Sequence, residues 1–344
     1  MEGCSVVDVF CGIGGLTHGF VKEGFRVVAG FDSDDTCQYA YEKNNPTKFI
    51  EKDVAGLTGK EVKALYPKGD IRILVGCAPC TPFSKYTQGQ SIDKWRLLRE
   101  FRRVILETKP NVISMENVPE LAKHGAFARF VSVLEDAGYY ITYSVVFCPD
   151  YGIPQSRRRL VLLASNFGEI KLLKKTHSQS RYRTVRDQIG RMPCLRAGQA
   201  HPQDRLHTSR SLTEINLKRL KATPQGGSWA DWSEDLQLKC HKKSSGKTYR
   251  SIYGRMIWDD LAPTLTTHCT GIGNGRFGHP TQNRAISLRE AALLQTFPRR
   301  YEFVKPRAPL YSKIVSRQIG NAVPVRLGRI IARSIKRHLQ TVLD

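Results

Sequence analysis

SVVDVFCGIGGLTHGF, residues 5–20, changes character at its midpoint. Up to Phe10 it is a short apolar run of strand composition. Gly12, Gly14 and Gly15 then open a segment with helical character. Strand, glycine turn and helix in that order begin a βαβ unit, and the glycines let the backbone pass close to a ligand at a helix N-terminus. The alternation continues. Apolar runs recur at 26–31, 71–76, 111–115, 140–147 and 159–164, with helical patterns between them at 95–107 and 127–138. Strands alternating with helices predict an α/β fold with a mostly parallel sheet. Right-handed crossovers place the ligand site at the carboxyl ends of the strands.

The pattern degrades from about 168 to 284, where Gly, Ser, Thr, Pro, His and basic residues crowd in, as in ATPQGGSWADWS (222–233) and THCTGIGNGRFGHP (267–280). This reads as a smaller, loop-rich domain. Helical periodicity returns at 287–297 and 325–343, segments expected to rejoin the first domain. Charge divides the chain the same way. Residues 1–170 carry 21 Lys+Arg against 20 Asp+Glu, residues 171–280 carry 20 against 8, and residues 281–344 carry 13 against 3. A balanced first half and a strongly basic second half imply a polyanionic partner, most simply nucleic acid, met by the second half.

No apolar run approaches the roughly 20 residues of a membrane span, so no membrane partner is expected. No signal peptide is visible at the N-terminus. Nine cysteines in 344 residues fit free thiols in a reducing cytoplasm, the expected location.

The glycine loop has neither the G-x-G-x-x-G spacing of dinucleotide binders nor a G-x-x-x-x-G-K-[ST] phosphate cradle. GFDSD (30–34) places Asp32 about 20 residues after the loop begins, where a carboxylate can accept both ribose hydroxyls of an adenosyl ligand. Asp53 is a weaker candidate for an adenine amino group, with a helix cap as the competing reading. GCAPCTPFS (76–84) closes a strand with a C-x-x-C. No second C-x-x-C or H-x3-H completes a zinc site, so no metal is expected. Pro82 and the polar run to Gln90 read as a loop, whereas a redox pair usually opens a helix. Cys77 is assigned to the strand end and core. Cys80, between Pro79 and Pro82, sits where a strand end presents a side chain to a cleft, and an inert thiol and a nucleophile both remain open for it. Glu116 in MENVPEL (115–121) falls at the same sheet edge, and a thiol and a carboxyl in one cleft suit nucleophilic attack with acid assistance. Gln155, Arg157 and Arg159 alternate along QSRRRL (155–160), pointing to one face that can hold Glu116 and an anionic ligand. An edge strand guarded by arginines is the alternative.

With these residues in place, the sequence resembles the DNA (cytosine-5)-methyltransferases, compact bacterial or phage type. FCGIGG (10–15), PC (79–80), ENV (116–118), Q-x-R-x-R (155–159), REAALLQTFP (289–298) and QIGNAVP (318–324) are similar to that family's motifs, in its order and near its spacing. The resemblance implies a Rossmann-like sheet domain binding S-adenosyl-L-methionine over 1–179, a target-recognition domain over 180–282, and a C-terminal segment, 283–344, rejoining the first. It assigns Cys80 as nucleophile, with Glu116, Arg157 and Arg159 beside it. It gives the cofactor to Phe10, Gly12, Gly14, Gly15, Asp32, Asp53, Pro79, Asn321 and Val323, and DNA contacts to Ser84, Gln155 and Arg276. Residues 85–93 would form a loop closing over DNA. Bases would be read by the stretches Ser228–Trp232 and Gly271–Phe277. The partner is double-stranded DNA, and monomeric action is the default. Whether a restriction endonuclease is encoded alongside stays open. The sequence departs from the family pattern at Cys77, usually glycine, at Thr81, usually glutamine, and at Ser33, often a large side chain. The rival readings are an RNA cytosine-5 methyltransferase, an idle DNA-binding regulator on the same fold and, more distantly, a thiol-disulfide enzyme.

Overall fold

Strand β1 (Cys4–Val9) is buried along its whole length, so both of its faces must be covered by other elements. The computed structural model, which describes residues 2–79, 95–243 and 249–343, shows how. β1 pairs in parallel with β2 (Arg26–Asp32) on one side and β4 (Ile71–Gly76) on the other. β2 carries β3 (Lys48–Glu51), and β4 carries β5 (Val112–Asn117), both in parallel. After β6 (Tyr140–Phe147) the chain passes through β7 (Gln155–Ser156), outside this sheet, and returns as β8 (Arg158–Ser165), antiparallel between β5 and β6. The resulting order is β3-β2-β1-β4-β5-β8-β6. Strand order reverses at β1, the switch point beside which ligands bind in such sheets.

Helices α1 (Gly15–Lys22), α2 (Gln38–Asn44), α3 (Gly59–Leu65), α4 (Arg96–Thr108) and α5 (Gly125–Asp136) follow successive strands. In α4, Leu98, Phe101, Val104, Ile105 and Thr108 form the buried stripe of an amphipathic helix. Phe101, Val104 and Ile105, with Phe127, Phe130 and Leu134 of α5, pack on Val7, Val9, Leu74, Ile113 and Met115 of the strands. Burying each such side chain stabilises the fold by about 1.5–3 kcal/mol. The C-terminal helix, Val325–Leu343, packs against α1 through glycines: a Cβ on Gly19 would lie 2.5 Å from the Gly328 carbonyl carbon.

These elements make up one unit of the chain: Met1–Tyr151, Arg158–Thr176 and Ala322–Asp344. The second unit is Gly152–Arg157 with His177–Asn321. It holds β7 paired in parallel with β11 (Ala262–Pro263), the antiparallel pair β9 (Ala200–His201) and β10 (Asp204–Thr208), and helices α6 (Val185–Ile189), α7 (Glu214–Ala222), α8 (Leu288–Leu294) and α9 (Ser312–Asn321). This is more than the expected 180–282. Segment 287–297, expected with the sheet, belongs here through α8, which packs on α6, β10 and α9. The reason is electrostatic as well as apolar. Arg289 of α8 donates from Nε to the Asp204 carboxylate at the start of β10 at 2.7 Å, an ion pair that ties the helix to this unit.

Candidate active site

The turn after β1 is built from left-handed backbone: φ is 65° at Phe10, 49° at Gly12 and 81° at Gly14. The Cys11 N–H donates to the Phe31 carbonyl and the Gly14 N–H to the Cys11 carbonyl, which locks the turn beside the end of β2. Asp32 finishes the job. Its carboxylate accepts from the Gly12 N–H at 2.8 Å and the Asp34 N–H at 3.0 Å. Burial raises its pKa against the pull of those N–H groups. Gly15 is closed on one side, since a Cβ there would stand 2.3 Å from the Val323 carbonyl oxygen. Over Gly12 the space is open: a Cβ would meet nothing within 4 Å. Phe10 lies edge-on to Phe101, ring centroids 6.2 Å apart. A half-buried backbone turn, open above Gly12, with a carboxylate held beside it fits an adenosyl ligand. Asp53 is exposed and caps the turn Val54–Gly56 through Ala55, the local role weighed against it from sequence. Asn321 is exposed at the end of α9.

Asp8 lies under this turn and was not singled out from sequence. It is 1% exposed, and one carboxyl oxygen accepts from Thr17 Oγ1 at 2.6 Å, which in turn meets the Tyr41 hydroxyl at 3.0 Å. The other oxygen, Oδ1, has no hydrogen-bond partner among the described residues. Burial pushes the Asp8 carboxyl up to about 7, with Thr17 opposing and the charge of Asp32 adding. An acid at the end of an apolar strand is the signal that sequence reading could have used.

Glu116 and Asn117 end β5. Glu116 is 6% exposed, and Arg159 Nε of β8 lies 2.9 Å from its Oε1 as an ion pair. The antiparallel register brings the start of β8 to the carboxyl edge, so Arg159 arrives where Glu116 ends. Cys77 lies in the electrostatic reach of Glu116. Burial and the neighbouring acids push the Cys77 thiol pKa well up, which holds it as a neutral thiol rather than the thiolate of a redox pair. Buried Asn117 donates through Nδ2 to the Ala78 carbonyl at 3.1 Å, tying the end of β5 to the chain just before exposed Pro79. Cys80, Ser84 and the expected closing loop 85–93 lie outside the described residues.

The family model for C-5 cytosine-specific DNA methylases matches residues 4–337. The chain belongs to this family. The methylase is 56% identical over 340 residues to the type II methylase M.HgiDII of Herpetosiphon aurantiacus, covering 98% of this chain and 96% of that one. It is 31% identical to the type II methyltransferase M.PspPI of Psychrobacter sp., covering 97% and 79%. Among solved structures, a protein described as a DNA modification methyltransferase encoded within an E. coli prophage superposes with a TM-score of 0.74 at 22% identity, over 98% of this chain and 99% of that one. The reaction is methyl transfer to C5 of cytosine in DNA.

Several residues expected at the methylase's site are used elsewhere. Gln155, expected against DNA, is fully buried: its amide donates to the Leu294 carbonyl at 2.8 Å and also to Gln295, and its oxygen accepts from the Leu265 N–H at 3.1 Å. Arg157 is 3% exposed and donates to the Leu265 carbonyl at 3.3 Å, and Arg159 forms an ion pair with Glu116. Arg276, expected on a base or phosphate, has its Nη1 on the Gly226 and Gly227 carbonyls, where it pins the start of the 226–233 loop. Trp229 and Trp232 of that loop are buried, with ring N–H groups bonded to the Tyr249 carbonyl and to Thr223. They are core of the second unit rather than base readers. Among the described residues no helix is long and apolar enough to cross a membrane.

Proposed function

We propose that the methylase uses S-adenosyl-L-methionine to modify one cytosine within a specific short sequence of duplex DNA, with Cys80 as the covalent nucleophile. The observation that carries the reading is the Arg159–Glu116 ion pair at the carboxyl edge of the sheet, beside the Asn117–Ala78 hydrogen bond that holds the chain leading into Pro79 and Cys80. Phe10, Gly12, Gly14, Gly15, Asp32 and Val323 are the residues that would hold the cofactor, with Asp53, Pro79 and Asn321 as further contacts. When bound, the cofactor supplies an electrophilic methyl group.

The target base must leave the duplex stack to be reached. The Cys80 thiolate adds to C6 of the flipped cytosine, which makes C5 electron-rich enough to accept a methyl group. Glu116 supports the charge that develops at the ring by holding a proton at N3, and Arg159 fixes that carboxyl in place. Loss of the C5 proton and departure of Cys80 restore the aromatic ring. The second unit, with most of the basic excess, takes the role of target recognition through major-groove contacts. The type II names of the relatives favour DNA over RNA as substrate and a separately encoded restriction endonuclease as companion. Monomeric action in the cytoplasm completes the reading.

Bisulfite sequencing of plasmid DNA from cells expressing the chain, beside a Cys80→Ser control, tests it. Protected cytosines within one recurring sequence, absent from the control, are expected. A folded, cofactor-binding protein that protects no cytosine would overturn the DNA assignment.

A further inference from the structure

The first unit contains a cavity of about 310 Å³ that the reaction does not use. Its lining includes Trp95, Arg99, Arg102, His124, Arg129 and Phe130, and no acidic residue. The volume matches the lower end of small-ligand pockets. Arg99 and Arg102 are three residues apart on α4 and so share a face. Arg129 comes from the second turn of α5. The rings of Trp95 and His124, with centroids 4.9 Å apart, form an aromatic wall.

The neighbouring arginine shows how unusual this is. Arg103 reaches Glu100 at 2.8 Å and Glu107 at 3.0 Å, and also bonds the Val54 and Ala55 carbonyls. The acids of α4 are thus committed to Arg103, while neither Arg102 nor Arg129 has an ion-pair partner among the described residues. Positive and negative residues nearly balance over 1–170, at 21 against 20, so three guanidiniums around one cavity are a local concentration rather than a reflection of composition. Guanidinium groups recognise phosphate oxygens through paired hydrogen bonds. The first turns of α4 and α5 add the positive ends of two helix dipoles.

Position says which phosphate. Both helices start on the carboxyl side of strands β4 and β5, and only the short turn Pro119–Lys123 separates His124 from Asn117 and Glu116. The cavity therefore opens near the sheet edge where the target base is modified. We propose that it seats a backbone phosphate of the DNA flanking the target cytosine, held by Arg99, Arg102 and Arg129. The inference rests on the DNA methylase reading and adds a phosphate contact on the first unit, whose charge over 1–170 is nearly balanced.

Fluorescence anisotropy of a labelled duplex carrying the target sequence, across a salt series, tests this with the full chain and an Arg102→Ala/Arg129→Ala double variant. The variant is expected to bind about 10-fold more weakly, with the slope of log affinity against log salt shallower by about 1, the loss of one phosphate contact. Its melting temperature and S-adenosyl-L-methionine affinity should match those of the unaltered chain. Should the double variant melt early, Arg129→Gln alone, at an exposed position, is expected to show a smaller loss in the same direction. Unchanged affinity and slope in a stable variant would overturn the proposal. So would thermal stabilisation by inorganic phosphate that the variant loses while its duplex affinity stays intact, since that marks a small-anion site. An unaltered chain that binds no duplex at all would instead bring down the DNA reading itself.

Discussion

Arg159 Nε stands 2.9 Å from Glu116 Oε1, and the two residues reach that point from strands running in opposite directions. Glu116 is at the end of β5 and Arg159 is at the start of β8, so the one antiparallel strand inserted between β5 and β6 delivers the cation. A nearly buried carboxylate without that partner would be expensive. Glu116→Gln is expected to slow methyl incorporation by about 100- to 10,000-fold, the range of a lost acid-base group. Arg159→Gln should cost about 10- to 100-fold, acting through Glu116. Radiolabelled methyl transfer to plasmid DNA checks both, with equilibrium cofactor binding as the control for folding. Activity of Glu116→Gln within a factor of two would remove Glu116 from the reaction.

Asn117 acts on the backbone rather than on the substrate. Its Nδ2 holds the Ala78 carbonyl at 3.1 Å, two residues before Cys80. Asn117→Ala should lower the single-turnover rate about 10-fold or more by loosening the approach to Cys80, while cofactor affinity stays within a few-fold. Equal losses in rate and in cofactor affinity would point instead to general damage of the sheet edge.

Asp8 makes a pH prediction with a definite sign. Its carboxyl titrates near about 7 in the folded chain, against an ordinary value of 3.8. Below the ordinary value both folded and unfolded chains hold the proton and nothing is lost. As pH rises from there towards 7 the unfolded chain releases the proton while the folded chain keeps it, so stability falls across that window and is level above it. The full effect is about 4 kcal/mol. Asp8→Asn removes this titration. Urea unfolding should show the variant gaining on the unaltered chain between about pH 4 and pH 7. A pH-independent difference would show that Asp8 does not titrate there.

Gly19 meets Gly328 where α1 crosses the C-terminal helix, and the backbones approach too closely for any side chain. Gly19→Ala must push the helices apart, and overpacking of this kind costs about 1–3 kcal/mol. Chemical denaturation should show the loss as a lower midpoint. An unchanged midpoint would mean the crossing relaxes freely.

The apolar runs at 5–10, 26–31, 71–76 and 140–147 correspond to β1, β2, β4 and β6 within a residue or so, because buried strands advertise themselves by local composition. The helix at 325–343 agrees with its boundaries for the same reason. Helix α9 carries no helical signal in the sequence. Its buried positions include Ser316, Gln318 and Gly320, so its inward face does not look apolar. β3 is only four residues long with one fully buried position, too little pattern to separate from a loop.

The sequence by itself determined the alternating α/β frame, the order of the family motifs and the uneven charge. All of these are properties of neighbours along the chain. The tertiary structure decided which polar groups remain for function. Gln155 is committed to Leu294, 139 positions away, and Asn117 to Ala78, 39 positions away. Arg276 is likewise committed to Gly227, 49 positions away, while Arg159 reaches Glu116. A buried donor or acceptor must find a partner wherever the fold supplies one. That partner is set by packing between distant segments, and local sequence carries no record of it.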